Sequence, residues 1–504
     1  MSLPNADKPL PDLPDRGIEN KEQKAEETPA DAPPRPEVPC EDVPPAQPEP
    51  LSIAPTGSVR RRPLPIVIAS AAALLCLAGI IALLRGCEHR QTIRPTPQID
   101  IESRFWVRVL LLNNVAECTF EVPSACRIAS TDTGREVQIG APASETLHQP
   151  TRITLVEGQL MLGETALAGK EMVLSPEKPY VFGLNGRSYR GRLKLIVNRD
   201  SRSFDAINLV PLEPYVAGVV GEEMPYYWEA EALRAQAIAA RTYCLFIKNR
   251  FRTNRSYDVS RTQSSQVYGG ISAESSQIWN AVDSTCGQVL MVPELMVAKG
   301  AIAGSNHGSG PQAMIADPQL RRLFPAYYSS ACGGHTSGSE EIFGDSFGPL
   351  QGVACPYCRD VAKLALYYWP MAPFDRATIT KHLLRRYPKL SALGEVSEIT
   401  ATAESCYGPF SRLTRVRLTG TTGKTDTLRA EDLRLALDPS GLKIKSAICL
   451  IVPWGDGWAF VSGRGWGHGV GMCQHGAEGM ARLGNEADAI LQYYYPGAEI
   501  VKLY

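Results

Sequence analysis

Two adjacent carboxylates, Glu222 and Glu223, stand in the stretch Gly221-Glu222-Glu223-Met224-Pro225, directly before a long run with helical apolar periodicity. A carboxyl group that keeps its proton near neutral pH is a general acid, and burial is the usual means of raising its pKa that far. The competing reading is a pair of ordinary acids where a helix begins. The macrodipole favours acids there, and Pro is favoured at the first helical position. With Pro225 in that first turn, Glu223 lies just outside the helix and can face a substrate, although the dipole then works against the proton. Glu222 reads as solvated.

A second constellation is Cys332-Gly-Gly-His335, followed after nineteen residues by Cys355-Pro-Tyr-Cys358. Three thiolates and an imidazole at this spacing suffice for a closed tetrahedral zinc site, structural because no position remains for water. A Cys355–Cys358 disulfide, or one involving Cys332, is the alternative. Cys-Pro-Tyr-Cys also spells a glutaredoxin-type redox motif, but that reading requires a thioredoxin-like βαβ context. A third stretch, "GRGWGHGVGMCQHGAEGMA", places glycine at 463, 465, 467, 469 and 471, which lets backbone approach a ligand or another backbone closely. No Gly-Lys-Ser/Thr follows, so it is not a phosphate loop. His468 within it is a candidate to hydrogen-bond substrate or position Glu223, against the plainer reading of a satisfied structural histidine. Gln474 and Trp466 are candidate sugar contacts. His475 reads as structural, and Cys473 as a small apolar packer.

The 504-residue chain balances 52 Lys and Arg against 53 Asp and Glu, which gives no global charge for nucleic acid. The balance is local, however. Residues 1–59 carry 12 acids, 5 bases and 14 prolines without apolar periodicity, so 1–62 reads as a disordered acidic tail. Residues 63–85 contain 19 uncharged positions from Ile66 to Leu84, enough to cross a bilayer as a helix. Because roughly sixty residues precede it, it reads as a permanent anchor and not a cleaved signal. Arg60 to Arg62 place the tail in the cytoplasm and the body outside, with Arg85, Arg90 and Arg94 weakening that bias. Thirteen cysteines less Cys40 and Cys76 leave an odd eleven beyond the membrane, among which Cys118 and Cys126 are spaced for a local disulfide.

After a linker at 86–104, residues 105–184 alternate apolar and polar ("FWVRVLLL", "TRITLVEG"), the pattern of strands and hairpins. From Leu212 to Lys248 the period turns helical, with Leu233, Ala237, Ala240, Cys244 and Ile247 on one stripe and Arg234, Arg241 and Lys248 on another. The expectation is an α+β body behind one transmembrane helix.

The stretches "LVPLEPYVAGVVGEEMPYYWEAEALRAQAIAARTYCL", "SSQVYGG", "YYSSACGGHTSGSEEIFG" and "GRGWGHGVGMCQHGAEGMARLG", in that order, resemble the stage II sporulation protein D family, related to the amidase enhancers. The likeness covers 185–504. It implies a lytic transglycosylase that cleaves the MurNAc–GlcNAc β-1,4 bond of glycan strands stripped of stem peptides, in concert with an amidase. It maps the family's catalytic acid onto Glu223. The family's basic positions fall on Arg241, which matches, and on Arg234, where the family commonly has Lys; a guanidinium fork suits sugar hydroxyls, acetamide or carboxylate. Gln236 and Tyr243 are weaker candidates on the same helix. The family has zinc-binding members and members without these cysteines, and it departs from this chain at His475, where an aromatic is usual. The implied protein is a single-pass enzyme of a bacterial cytoplasmic membrane, with its body on the periplasmic or cell-wall side and no cofactor needed for catalysis. Its partners would be peptidoglycan glycan strands and an N-acetylmuramoyl-L-alanine amidase. A non-catalytic glycan-binding amidase enhancer, or a structural partner recruited through the Pro-rich tail, remain as alternatives.

Overall fold

The computed structural model describes residues 105–132, 136–139, 150–251, 254–293, 321–407 and 410–504. The tail 1–62, the apolar segment 63–85 and the linker 86–104 lie outside the described residues. Among the described residues, no helix is long and apolar enough to cross a membrane.

The alternating N-terminal segments form two sheets around a shared core. One has seven strands, in the order Val259–Ser260, Trp106–Val115, Phe204–Pro211, Arg192–Val197, Glu171–Pro176, Cys126–Ser130 and Glu136–Ile139. The other has six: Arg187–Arg190, Val181–Leu184, Glu117–Glu121, Thr151–Val156, Gln159–Leu162 and Thr165–Ala166. Period-two burial is what makes these strands: Arg192–Val197 buries Leu193, Leu195 and Val197 and leaves the residues between partly exposed. Cys118 and Cys126 fall on different sheets and are free buried thiols, so the expected local disulfide is not formed. Burial pushes each thiol up to about 12.

The strand Phe204–Pro211 runs straight into the helix Leu212–Glu223, with Pro211 at its N-cap. A break follows, and a long helix spans Ala230–Phe251. The stripe read from the sequence is its buried face, since Leu233, Ala237, Ala240 and Cys244 are all closed to solvent. The break corrects one expectation. Glu223 is the last residue of a helix and does not precede the first turn of one. Met224 is extended and its N–H returns to the Val220 carbonyl, so Pro225 stands just past a helix end, where it stops the helix.

Farther along, a second core gathers around Ile379, Leu383, Val416, Leu418 and Leu433, within residues 369–460. Its frame is the antiparallel sheet of Val396–Tyr407, Phe410–Gly420 and Thr425–Arg429, with the helices Arg376–Arg386 and Ala430–Leu437. On either side of this insertion, "YYSSACGG" and "GWGHGVGMC" meet each other. Tyr328–Ser329 pairs in parallel with Met472–Cys473, and Ala331 bridges Trp466. Gly465 and Gly471 have φ of 76° and 72°. A Cβ on Gly471 would sit 1.9 Å from the Tyr327 carbonyl oxygen. The alternate glycines therefore serve close approach of backbone to backbone.

The helix Leu212–Glu223 also carries glycine on its packed face. A Cβ at Gly221 would lie 1.8 Å from the Ala273 carbonyl oxygen, and one at Gly218 would lie 2.5 Å from the Tyr268 ring. Mid-helix glycine costs about 1 kcal/mol relative to alanine, and here it admits the loop that follows "SSQVYGG". Gly221→Ala is accordingly expected to push that loop away and destabilise the fold by about 1–3 kcal/mol, the cost of overpacking. A thermal-denaturation midpoint equal to the parent's would contradict this.

Candidate functional site

Glu223 ends its helix under that loop. Its Oε1 accepts the Val267 N–H at 2.9 Å and its Oε2 accepts from Gln474 Nε2 at 3.2 Å. By exposed surface the residue is half-buried. Burial raises its pKa, the two hydrogen bonds oppose the rise, and the Glu222 charge adds to it. The reversed helix polarity adds a further push in the same direction. The negative end of the macrodipole lies at Glu223 and disfavours its charged form. Glu222 is exposed, as expected of a solvated neighbour.

Two residues not singled out from the sequence complete this environment. The buried Gln266, next to Val267, accepts from Tyr215 Oη at 2.9 Å and donates to the Ala240 carbonyl and, at 2.8 Å, to Tyr328 Oη. Burial raises the Tyr328 phenol's pKa and the nearby Glu223 charge raises it further, so the hydroxyl stays protonated beside the carboxyl. One loop thus holds a carboxylic acid by its backbone and a phenol by its side chain. Tyr226 and Tyr227, three and four residues past Glu223, are 52% and 70% exposed with rings 5.6 Å apart. Exposed aromatic faces so near in the chain to a half-buried acid suit stacking against an apolar ligand face. The only sequence signal for them was their place inside motifs already noted.

Of the substrate-binding candidates, the structure brings Gln474 onto Glu223 and assigns the others elsewhere. Arg241 is fully buried and forms a two-pronged ion pair with Glu213, at 2.9 Å and 2.6 Å, while its third nitrogen donates to the Gln288 carbonyl. Its fork is spent on holding two helices and a strand together. Gln236 is wholly buried in the long helix, its amide nitrogen and oxygen without hydrogen-bond partners among the described residues. Arg234 is partly exposed and pairs with Glu231 one turn back, at 2.6 Å. Tyr243 is buried, its ring 5.8 Å from that of Tyr327. His468 packs against Phe343 and Tyr327, its Nδ1 accepting the Val470 N–H at 3.0 Å. Burial pushes it down to about 4, so the imidazole is neutral at ordinary pH. Trp466 carries Lys445 over its ring, 5.0 Å away. His475 bonds the Ser330 carbonyl at 2.8 Å, a structural role as expected.

The thiols also assemble differently from the spacing. His335 stacks flat on Tyr407, 3.8 Å between ring centres, with Nδ1 on the Thr336 carbonyl. Its place beside Cys332, Cys355 and Cys358 is taken by Cys473. Cys473 is fully buried in the apolar core, in keeping with the packer reading, and also neighbours the three other thiols, while His335 is not part of that group. A thioredoxin-like context for Cys355 and Cys358 is not present: Cys358 opens a helix of four residues, Cys358–Val361.

Residues 200–292 match the family described as SpoIID, Stage II sporulation protein. An uncharacterized protein of Brachyspira hyodysenteriae is 31% identical over 320 residues, covering 64% of this chain and 74% of its own. The chain belongs to the stage II sporulation protein D family. The Bacillus subtilis protein of that name is 29% identical over 300 residues, 58% of this chain and 76% of its own. The Bacillus subtilis amidase enhancer is 25% identical over 385 residues, 68% of this chain, and this chain spans about half of it, 48%. The matched segment of this family member contains Glu223, Gln266 and Val267, three of the residues that the geometry joins.

Buried and surface arginines on the same helix should respond very differently to removal. Arg241→Ala leaves the partly buried Glu213 unpaired and is expected to cost about 3–5 kcal/mol in a denaturant melt. Arg234→Ala is expected to stay within about 0.5 kcal/mol of the parent. Equal effects of the two changes would refute the assignment of Arg241 to the scaffold.

Proposed function

We propose that this protein is a membrane-anchored peptidoglycan lytic transglycosylase with Glu223 as its single general acid and base. Family membership, and relatives named for sporulation and for amidase enhancement, support a role in the cell wall. The observation that carries the finer reading is Glu223 itself: a half-buried carboxyl at a helix C-terminus, raised in pKa, gripped by a loop N–H and an amide, with a protonated phenol alongside. The apolar segment 63–85 supports the anchor, with the body on the outer side of the cytoplasmic membrane.

Ordinary glycoside hydrolysis uses two carboxyl groups. One suffices when the sugar's own 6-hydroxyl attacks the anomeric carbon. Glu223 donates its proton to the leaving glycosidic oxygen as the bond breaks. It then accepts the proton of the 6-hydroxyl as the 1,6-anhydro ring closes, which returns it to its starting state. Gln474 and the Val267 N–H stabilise the carboxylate between the two transfers, and Tyr226 and Tyr227 offer stacking surface for the strand. Arg234 and Arg241 have no part in this account. The second reading, a glycan-binding enhancer of an amidase, is favoured by the relative of that name and would keep the same aromatic surface.

The full-length protein, assayed on purified glycan strands with and without prior amidase treatment, should release fragments ending in 1,6-anhydro-MurNAc, seen by mass spectrometry as a water-sized deficit. Glu223→Gln should reduce that release by about 10²–10⁴-fold, the usual worth of a positioned acid. Hydrated ends would exclude the transglycosylase, and binding without cleavage by both proteins would favour the enhancer. Since the donor must be protonated, activity should be retained above the ordinary carboxylate range and lost as pH rises through the raised pKa. Gln474→Leu removes a bond that lowers that pKa, so the alkaline limb should move to higher pH. A limb that stays in place or moves down would break the link between Gln474 and the acid.

A further inference from the structure

Four cysteines from three separated stretches of chain meet beside the ladder that carries Tyr328 and Gln474. The Sγ atoms of Cys332, Cys355, Cys358 and Cys473 all lie within 4.8 Å of one another, and all four residues are buried. Four thiolates at about 2.3 Å from one tetrahedral ion stand about 3.8 Å apart. Cys332 and Cys358 are separated by 3.7 Å. Two disulfides would require only two close pairs and give no reason for four sulfurs to be mutual neighbours. An iron–sulfur cluster distributes its cysteines over several irons and calls for a wider set than this one.

The surroundings are shaped to the sulfurs. Tyr494 Oη lies 3.1 Å from Cys355 Sγ, and the Cys332 N–H donates to Cys473 Sγ at 3.2 Å, both of which suit thiolates. A Cβ on Gly476 would stand 2.6 Å from Cys355 Sγ, so glycine at that helix position is what admits the sulfur.

We propose that Cys332, Cys355, Cys358 and Cys473 bind one thiophilic divalent ion, zinc, in a closed site that fixes the residue before Gln474. With four protein ligands the ion has no position for water or substrate and performs no chemistry. Its action is positional. Cys473 is the N-cap of the helix Gln474–Arg482 and pairs with Ser329, so tethering its sulfur fixes both Gln474 and the strand that bears Tyr328. This consequence rests on the reading of Glu223 as the acid; the metal site does not.

The full-length protein, purified with reductant and without chelator, would be assayed for zinc by elemental mass spectrometry and for zinc released on titrating its thiols with a mercurial. About one ion per chain is expected, in keeping with a single tetrahedral site. His335→Ala should keep that ion and Cys473→Ser should lose most of it. Should Cys473→Ser fail to fold, release of about one zinc from the parent in step with thiol modification still decides the matter. A metal-free parent with these cysteines in disulfides, or zinc lost from His335→Ala and kept by Cys473→Ser, would overturn the site. If glycan cleavage is measurable, the Cys473→Ser and Gln474→Leu losses in kcat should be non-additive, because both act on one side chain; additive losses would remove the positional role. The metal content is read independently of activity, so failure of the proposed enzyme and failure of the site are told apart.

Discussion

A parallel ladder two residues long, Tyr328–Ser329 beside Met472–Cys473, is the contact on which the site depends. It joins segments more than 140 positions apart and sets Tyr328 and Gln474 around a carboxyl supplied by a third segment. So short a ladder has little stability of its own. It persists because glycines at 465 and 471 let the two backbones close without side chains between them, and because the thiol cluster sits at its end. The same reasoning applies across the site, where Gly218 and Gly221 let the loop of Val267 settle on the helix of Glu223. Backbone proximity supplied by glycine replaces the side-chain contacts that would otherwise be needed.

Glu223 is held in tension. Burial and the helix end favour its neutral form, while the Val267 N–H and Gln474 favour the ion. Neither set acting alone would serve proton transfer in both directions. A carboxyl with only the first would hold its proton, and one with only the second would never regain it. The neighbouring phenol is subject to the same burial, which raises its pKa as it raises that of Glu223.

Much of this was legible in the chain. The β-rich segments and the long helix follow from period, and the motif singles out Glu223 as the residue to examine. What escaped was direction and partnership. Pro225 marks a helix boundary in either sense, because proline is tolerated both just inside a start and just past an end; only the extended Met224 decides it. The family resemblance makes Arg241 a substrate-binding fork, but the partly buried Glu213, 28 positions earlier, claims it. Cys473 was masked by apolar neighbours, and His335 was favoured by a familiar spacing. In both cases sequence distance misled, since the fold brings a fourth sulfur from the far side of the insertion.

That insertion has a topological consequence. Its two ends are tied side by side, Tyr368 opposite Arg464 and Trp369 opposite Gly463, and the second core lies wholly between them. The chain leaves and returns next to the ladder, and the module also leans on the body, where Arg412 donates to the Cys332 carbonyl at 2.8 Å and Tyr407 stacks on His335. A shift in the module's sheet is thereby passed directly to the backbone of a clustered thiol, so the module acts as a brace on that cluster.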